Sequence, residues 1–302
     1  MEEVDFIWFN GEMKKWAECN THVLTHTLHY GMGVFEGIRA YETDKGTAIF
    51  RLRDHTERLF KSAEIVGMGT TFDVETFITA TKEVIKQNNL KSGYIRPLFY
   101  YGYGKMGLDT TGAKIDALIA AWPWGAYLGE DGKKNGISLK VSKYTRHFPV
   151  KNLNQSKATG FYINSTMAKM DALNTGFNEA LMLDLNGNVA ECSGENIFIV
   201  KDKVLITPSP QNCLNGITRK SILEIAQDQG IKTEERIVTK EDVMNADEVF
   251  LTGTAAELTP VNKVDEKPFG VGEITKLLQQ KYDDIIHGKD EKYVHWLSFV
   301  NE

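Results

Sequence analysis

The chain has 302 residues, 42% of them apolar and 25% charged, the balance of a globular protein large enough for two cores. Its net charge of -6 excludes a general nucleic-acid binder, since phosphate backbones call for a basic face, yet leaves room for a local basic pocket around one phosphate. No apolar run approaches the ~18 residues of a membrane span, and the acidic, polar start MEEVDFIWFNGEMKKW is not that of a secretory leader.

Residues 5–15 read as a strand pair turned at Asn10-Gly11, a dipeptide that tolerates positive φ at both turn positions. Residues 34–41 and 48–52 read as further strands. Residues 53–66 carry Leu59, Phe60, Ala63 and Ile65 at helical spacing, and Val74–Gln87 repeats the pattern with Phe77, Ile78, Val84 and Ile85. Gly93–Tyr101 and Ile115–Trp122 are predicted strands, the second almost wholly apolar and therefore central in its sheet. Proline and glycine around aromatics then break the pattern, so residues 123–131 are expected to connect a domain of residues 1–122 to one of residues 132–302. Linkers normally shed apolar surface, and this aromatic one is expected to line something.

The second half is predicted to hold a strand (137–144), a helix (160–174) and short strands joined by Asn186-Gly187-Asn188 and Lys201-Asp202-Lys203. A helix entered through Gly216 (217–229), a strand (249–254) and a closing amphipathic helix (273–287) follow.

The chemistry concentrates in Glu191-Cys192-Ser193-Gly194-Glu195-Asn196, read together with Ser156-Lys157-Ala158-Thr159-Gly160-Phe161-Tyr162. A lysine among small residues, then a phenol, then a carboxylate in a turn-rich segment supply three partners that a pyridoxal ring requires. Lys157 would make the Schiff base, Tyr162 would hold the ring oxygen, and Glu191 would keep the ring nitrogen protonated. Three features suit a phosphate: Gly216-Ile217-Thr218-Arg219, where a helix opens with unpaired N–H groups; Thr252-Gly253-Thr254-Ala255-Ala256-Glu257, a turn with two hydroxyls; and Arg58. Taken singly, each also fits a cap, a turn or a solvated arginine, and spacing does not show that they converge. Tyr94 and Arg96 share one face of their strand, which suits either carboxylate recognition or an ordinary half-buried strand. Phe35 and His29-Tyr30 could be pocket wall or core.

Gly102-Tyr103-Gly104-Lys105-Met106-Gly107 spells the dinucleotide-binding pattern after a strand, but no crossover helix follows it and no acidic residue closes a second strand. It reads as a loop. The seven histidines are scattered and no HExxH occurs, so no catalytic metal is expected. The three cysteines, Cys19, Cys192 and Cys213, form neither a CxxC nor an even framework, which suits a reducing cytoplasm. Cys192 beside Glu191 is expected to be inert, because a neighbouring carboxylate raises a thiol's pKa.

With these residues laid out, the chain resembles the branched-chain amino acid aminotransferases, in the fold type IV group of pyridoxal-phosphate enzymes. The likeness runs from Ile7-Trp8-Phe9-Asn10-Gly11-Glu12 through His29-Tyr30-Gly31, Val34-Phe35-Glu36-Gly37-Ile38-Arg39, Tyr94-Ile95-Arg96-Pro97 and Pro123-Trp124-Gly125-Ala126-Tyr127 to Gly253-Thr254-Ala255-Ala256-Glu257-Leu258-Thr259-Pro260. It implies an α+β fold, with a small α/β N-terminal domain, a linker loop and a larger C-terminal domain holding a pseudo-barrel of strands. It implies pyridoxal 5'-phosphate as cofactor and Lys157 as the Schiff-base lysine that also moves the α-proton. Arg58, Ile217, Thr218 and Thr254 match phosphate ligands, Tyr162 the phenol at the ring oxygen, and Glu191 the partner of the ring nitrogen. Tyr30, Phe35, Tyr94, Arg96, Trp124, Tyr127, Thr254, Ala255 and Ala256 match positions lining the substrate pocket.

The resemblance also implies a homodimer or higher homo-oligomer, with the Tyr30 region lent by the neighbouring subunit, and no nucleic-acid or membrane partner. The activity implied is transfer of an amino group from leucine, isoleucine or valine to 2-oxoglutarate. Asn215 departs from the proline common before Gly-Ile-Thr, so entry to that helix is less rigid. A D-amino-acid aminotransferase or aminodeoxychorismate lyase of the same fold would keep Lys157, Glu191 and the phosphate residues. A non-catalytic amino-acid or pyridoxal-binding protein is the alternative from another class.

Overall fold

The computed structural model describes residues 2–125, 127–146 and 152–301; Ala126 of the expected connection, and His147, lie outside the described residues. Two compact units divide the chain. One is Met1–Gly125 with Ser156–Gly160 and Ile285–Glu302, and the other is Ala126–Gln155 with Phe161–Asp284.

The first unit is built on an antiparallel sheet. Strands β1 (Phe6–Phe9) and β2 (Glu12–Lys15) form the expected hairpin, with φ of 51° at Asn10 and 98° at Gly11. Then come β3 (Gly33–Phe35), β4 (Ile38–Thr43), β5 (Gly46–Phe50), β6 (Gly93–Tyr101) and β7 (Ile115–Trp122). The spatial order is the strand Leu297–Phe299, then β5, β4, β6, β7, β1 and β2, with β3 alongside the C-terminal half of β6. The apolar β7 is thus interior, as its composition predicts. Because β6 and β7 pair antiparallel from Tyr94↔Trp122 to Tyr101↔Ile115, the glycine-rich run 102–107 is a hairpin loop with no crossover helix.

The α-helices among its described residues are α1 (His26–Tyr30), α2 (Leu52–Ile65) and α3 (Val74–Gln87). On α2, Leu52, His55, Thr56, Leu59, Ser62 and Ala63 form a buried stripe at intervals of three and four, and α3 is capped by Asp73 accepting from the Thr76 N–H. Phe77 of α3 is nearly fully buried, with ring centroids of Trp8 at 5.1 Å, Phe60 at 5.5 Å and Phe99 at 4.7 Å.

Two sequence expectations fail here. The strand predicted over 34–41 is interrupted at Glu36-Gly37, because the Glu36 carboxylate turns inward onto α2 and Gly37 leaves space for the Tyr94 hydroxyl, which a Cβ would strike. Nor does the chain close on a helix. After it, a 3₁₀ turn at Glu291–Trp296 buries Tyr293 and Trp296, and Leu297–Phe299 adds a strand to β5 through Leu297↔Phe50. That strand is too short to show a period of its own.

The second unit holds a mixed sheet: β8 (Ile137–Val141), β9 (Glu179–Leu183), β10 (Asn188–Cys192), β11 (Asn196–Lys201), β12 (Val204–Pro208), β13 (Thr233–Arg236), β14 (Val238–Thr239), β15 (Glu248–Gly253), β16 (Glu257–Val264) and β17 (Lys267–Pro268). Their order is β13-β12-β11-β15-β16-β8-β9-β10-β14, with β17 on β16, and β8 runs parallel to both β9 and β16. Leu139, Leu181, Val189, Ile197, Leu251 and Val261 meet in its core. The helices are α4 (Glu130–Asn135), α5 (Tyr162–Asn174), α6 (Ile217–Asp228), α7 (Lys240–Met244) and α8 (Glu273–Ile286). The helix expected from residue 160 begins as a 3₁₀ turn, Thr159–Phe161, and becomes α-helical at Tyr162. Among the described residues no helix is long and apolar enough to cross a membrane.

Since the aromatic cluster joins α2, α3, β1 and β6, truncating its centre leaves a cavity that rigid sheet residues cannot fill. Phe77→Ala is expected to cost about 3–5 kcal/mol, read as a lower midpoint in urea unfolding; an unchanged midpoint would show that the cluster collapses freely.

Candidate functional site

In the first unit, the segment Ser156–Gly160 is laid against β3. The Phe35 N–H donates to the Lys157 carbonyl at 3.0 Å, Val34 and Ala158 form an antiparallel bridge, and Thr159 Oγ1 donates to the Gly31 carbonyl at 2.6 Å. The Lys157 N–H donates to Ser62 Oγ on α2 at 3.0 Å. The backbone of Lys157 is therefore fixed on both sides, while its half-buried side chain carries the amine over the Phe35 ring, 4.9 Å from the centroid. Arg96 covers the same ring, with Cζ at 4.7 Å, and donates through Nη2 to Tyr94 Oη at 3.0 Å. Tyr94 meets Trp124 edge-on at 4.7 Å, and Arg39 Nη2 donates to the Trp124 carbonyl at 2.6 Å. Lys157, Phe35, Arg96, Tyr94 and Trp124 thus form one continuous chain of contacts. Tyr30, the last residue of α1, is exposed, and its ring packs on His26 of its own helix at 4.6 Å.

Arg58 sits one helical turn before Ser62 and is held from behind by Glu36. Its Nε donates to Glu36 Oε1 at 2.6 Å and its Nη2 to Oε2 at 2.8 Å, while His55 Nδ1 donates to Oε2 at 2.7 Å. Burial alone would push the Glu36 carboxyl up; the Arg58 charge and the His55 hydrogen bond outweigh it and hold the group well below the usual carboxylate range. Burial pushes His55 down, with the Glu36 hydrogen bond opposing it. The sequence reading named Arg58 but missed Glu36 and His55, whose only local signal was an acidic residue inside a predicted apolar strand.

In the second unit, Glu191 ends on the buried side of β10. Its Oε1 accepts from Arg146 Nε at 2.6 Å, and its Oε2 accepts from Asn196 Nδ2 at 3.3 Å and the Leu214 N–H at 3.2 Å. Arg146 Cζ lies 5.7 Å from the Tyr162 ring centroid, so the phenol and the carboxylate share this guanidinium. Asn196 Nδ2 also donates to the Leu214 carbonyl at 2.8 Å, and the chain runs from there into Gly216 and α6. Gly216 caps that helix with no side-chain hydrogen bond, which leaves the first N–H groups, at Ile217 and Thr218, for an anion. Residues 254–256 form the turn between β15 and β16, and Tyr127 lies under Lys169, Nζ 5.6 Å from its ring. Arg146 was not singled out from sequence, and Asn196 was marked only as the end of the stretch 191–196 with no role of its own; each acquires its role by folding onto Glu191.

Cys192 and Cys213 are buried free thiols. Burial first, and then Glu179 and Glu195, push Cys192 well up, and burial followed by Glu191 pushes Cys213 up to about 12. The expected inertness of Cys192 has burial, more than Glu191, as its main cause.

The donor set suits pyridoxal phosphate. One unit offers a lysine amine and an arginine on adjoining segments; the other offers a buried carboxylate, a phenol and an open helix start. The family model for class IV amino-transferases matches residues 33–264. The chain belongs to that family. This class IV aminotransferase is 49% identical to a branched-chain-amino-acid aminotransferase of Pseudomonas aeruginosa, over 97% of each chain. Its fold matches the branched-chain aminotransferase of Escherichia coli with a TM-score of 0.96 at 42% identity, covering 99% of this chain and 100% of the other. The T.th. branched-chain aminotransferase complexed with N-(5'-phosphopyridoxyl)-L-glutamate matches with a TM-score of 0.93 at 41% identity, covering all of both chains. The class IV aminotransferase therefore has the α+β architecture of fold type IV.

A further buried carboxylate in the aminotransferase, Glu195, makes its stability pH-dependent. Burial, with Glu179 nearby and Lys169 opposing, pushes Glu195 up to about 8. In the unfolded chain the same group releases its proton near ~4.3. Between those values the folded state holds the extra proton, so the stability contributed by Glu195 falls as pH rises through this window and levels off above it. Glu195→Gln is expected to remove that decline. Urea midpoints should agree with the parent near about pH 5 and exceed it near about pH 9; equal pH slopes would contradict the assignment.

Proposed function

We propose that this enzyme moves an amino group between L-leucine, L-isoleucine or L-valine and 2-oxoglutarate, using pyridoxal 5'-phosphate. The observation that carries the reading is one stretch of the second unit. Glu191, a carboxylate suited to a ring nitrogen, accepts from the Leu214 N–H, and the same loop leads into the uncapped start of α6, suited to a phosphate. The group proposed for the ring nitrogen is thus hydrogen-bonded to the loop that opens the helix proposed for the phosphate. The full-length likeness to branched-chain aminotransferases supports the choice of substrates.

The residues that would hold the cofactor are Lys157, through its amine; Arg58, Ile217, Thr218 and Thr254, at the phosphate; Tyr162, at the ring oxygen; and Glu191, at the ring nitrogen. When bound, the protonated ring supplies an electron sink for the charge left at Cα as the α-proton departs. Lys157 Nζ takes and returns that proton, and its fixed backbone, held by Ser62 and Phe35, keeps the amine on one path. Glu36 fixes Arg58 as a preset cation, so little side-chain entropy is lost when a phosphate arrives.

Substrate choice falls to Tyr30, Phe35, Tyr94, Arg96, Trp124, Tyr127 and the turn of Thr254, Ala255 and Ala256. Aromatic wall discriminates single methylenes by only ~1–3 kcal/mol, which gives loose choice among the three aliphatic amino acids. Arg96 offers a charge-assisted partner for the distal carboxylate of glutamate. We infer a cytoplasmic homodimer or higher homo-oligomer. Val23, Leu24 and Leu28, exposed around α1, and Tyr103, Met106 and Leu108, in the neighbouring hairpin loop, leave uncovered an apolar surface of the kind that a second copy buries.

Lys157→Ala is expected to lower turnover by about 100- to 10,000-fold and to abolish the borohydride-trappable cofactor, read by mass spectrometry of the treated protein. A retained covalent adduct would move the role to another lysine. Arg96→Met should raise the apparent KM for 2-oxoglutarate about 10- to 100-fold, the worth of one hydrogen bond to a charged group, while leaving that for L-leucine nearly unchanged. Equal effects on both substrates would assign Arg96 elsewhere.

A further inference from the structure

Glu191 is held by donors from three separate elements, but they are unequal. The Asn196 and Leu214 bonds to Oε2 are long, at 3.3 and 3.2 Å, whereas Arg146 Nε meets Oε1 at 2.6 Å. Both members of this pair are almost wholly removed from water, with side-chain exposures of 7% and 6%. Arg146 is itself pinned: its N–H donates to the Leu183 carbonyl at 2.8 Å, and its Nη1 donates to Ser165 Oγ at 3.1 Å and the Phe161 carbonyl at 3.3 Å. Those last two acceptors lie at the start of α5, on either side of Tyr162.

A buried carboxylate with no counter-charge tends to keep its own proton, and one facing a fixed guanidinium is stabilised as the anion. The distinction matters for a carboxylate that faces a pyridine nitrogen. As an anion it leaves the shared proton on nitrogen; as a neutral acid it keeps the proton on oxygen and leaves the ring a poor electron sink. Resting on the reading of Glu191 as the ring-nitrogen partner, we propose that Arg146 is the positioning residue for that carboxylate, fixing its charge and its plane so that the proton lies on the cofactor nitrogen. Arg146 acts through Glu191, and the Asn196 and Leu214 donors set the direction of the second oxygen without supplying charge.

The test is a double-mutant cycle on holoenzyme reconstituted with pyridoxal phosphate labelled with nitrogen-15 in the ring. The variants are Arg146→Gln, Glu191→Gln and the two together. The ring-nitrogen NMR shift reports protonation directly, and spectroscopic titration of each apoprotein gives the cofactor's Kd. The parent should show a protonated nitrogen, each single variant an unprotonated one, and the double variant a shift and Kd matching those of Glu191→Gln. A parent-like shift in Arg146→Gln with a changed one in Glu191→Gln overturns the role of Arg146 and leaves that of Glu191 standing. A parent-like shift in both overturns the reading of Glu191 and the inference with it.

If Arg146→Gln alone does not accumulate as folded protein, the double variant carries the test, since it leaves no lone buried charge. Matching Glu191→Gln in shift and Kd supports the inference, and any further change relative to Glu191→Gln shows that Arg146 acts by another route and overturns it.

Discussion

The antiparallel bridge between Val34 and Ala158 is the contact from which the proposed chemistry of the first unit is built. Ser156–Gly160 belongs to that unit although the residues on either side of it belong to the other. What ties it there is a set of hydrogen bonds through backbone and hydroxyl groups: the Phe35 N–H on the Lys157 carbonyl, the Lys157 N–H on Ser62 Oγ, and Thr159 Oγ1 on the Gly31 carbonyl. Close approach at Gly31 and Gly160 is part of the same fit, since a Cβ at Gly31 would lie 3.1 Å from the Gly160 Cα. Small residues around Lys157 are thus a packing requirement before they are a chemical one. Their result is an amine whose backbone is fixed while its side chain remains long enough to reach.

Buried charge is the second constraint, and it is handled alike in both units. Glu36 is shared by Arg58 and His55, Glu191 by Arg146, Asn196 and Leu214, and Glu179 by Lys169 at 2.6 Å. Pairs of this kind contribute little net stability, because desolvating both partners offsets most of their attraction. What they give is orientation. Glu36 and Glu191 are each satisfied from several directions, so the groups beside them, Arg58 in one case and Tyr162 in the other, are held in place. Glu195 shows the contrast. Its hydrogen bond at 3.2 Å comes from the adjoining Gly194 N–H, and it is the carboxylate of this set that burial drives up.

Local structure was legible wherever one short-range rule decided it. The Asn10-Gly11 hairpin, the span Val74–Gln87 and the strands Gly93–Tyr101 and Ile115–Trp122 follow from turn chemistry and periodicity alone. The strand break at Glu36 and the strand Leu297–Phe299 did not, because both are fixed by partners distant in sequence: Arg58 and His55 for one, β5 for the other. The same division runs through the candidate site. Lys157, Tyr162, Glu191 and Gly216 could be marked from composition and spacing, since their residue types are unusual where they stand. Arg146 and His55 are of types found on any surface, among neighbours that give no sign of burial, and Asn196, though it opens the apolar run 197–200, carries nothing that points to Glu191. What the sequence left open most clearly was convergence, which depends on which strands pair.

The loop from Leu214 to Thr218 shows how a departure from a family pattern can be absorbed. Proline before Gly216 would fix the helix entry through its ring. Asn215 has no such restraint, but its Oδ1 accepts from Arg219 Nη1 at 3.3 Å, and Arg219, nearly fully buried, is itself tied through Nη2 to the Pro208 carbonyl at 2.8 Å and to Glu235. From the other side, Asn196 holds the Leu214 carbonyl, and its amide oxygen fills the space that any Cβ on Gly216 would need. The helix start is therefore positioned by two side chains, one from β11 and one from α6 itself, in place of a ring in the backbone. Because Asn196 also touches Glu191, the two proposed anchors of the cofactor cannot shift independently: moving the ring-nitrogen partner strains the same amide that sets the phosphate turn.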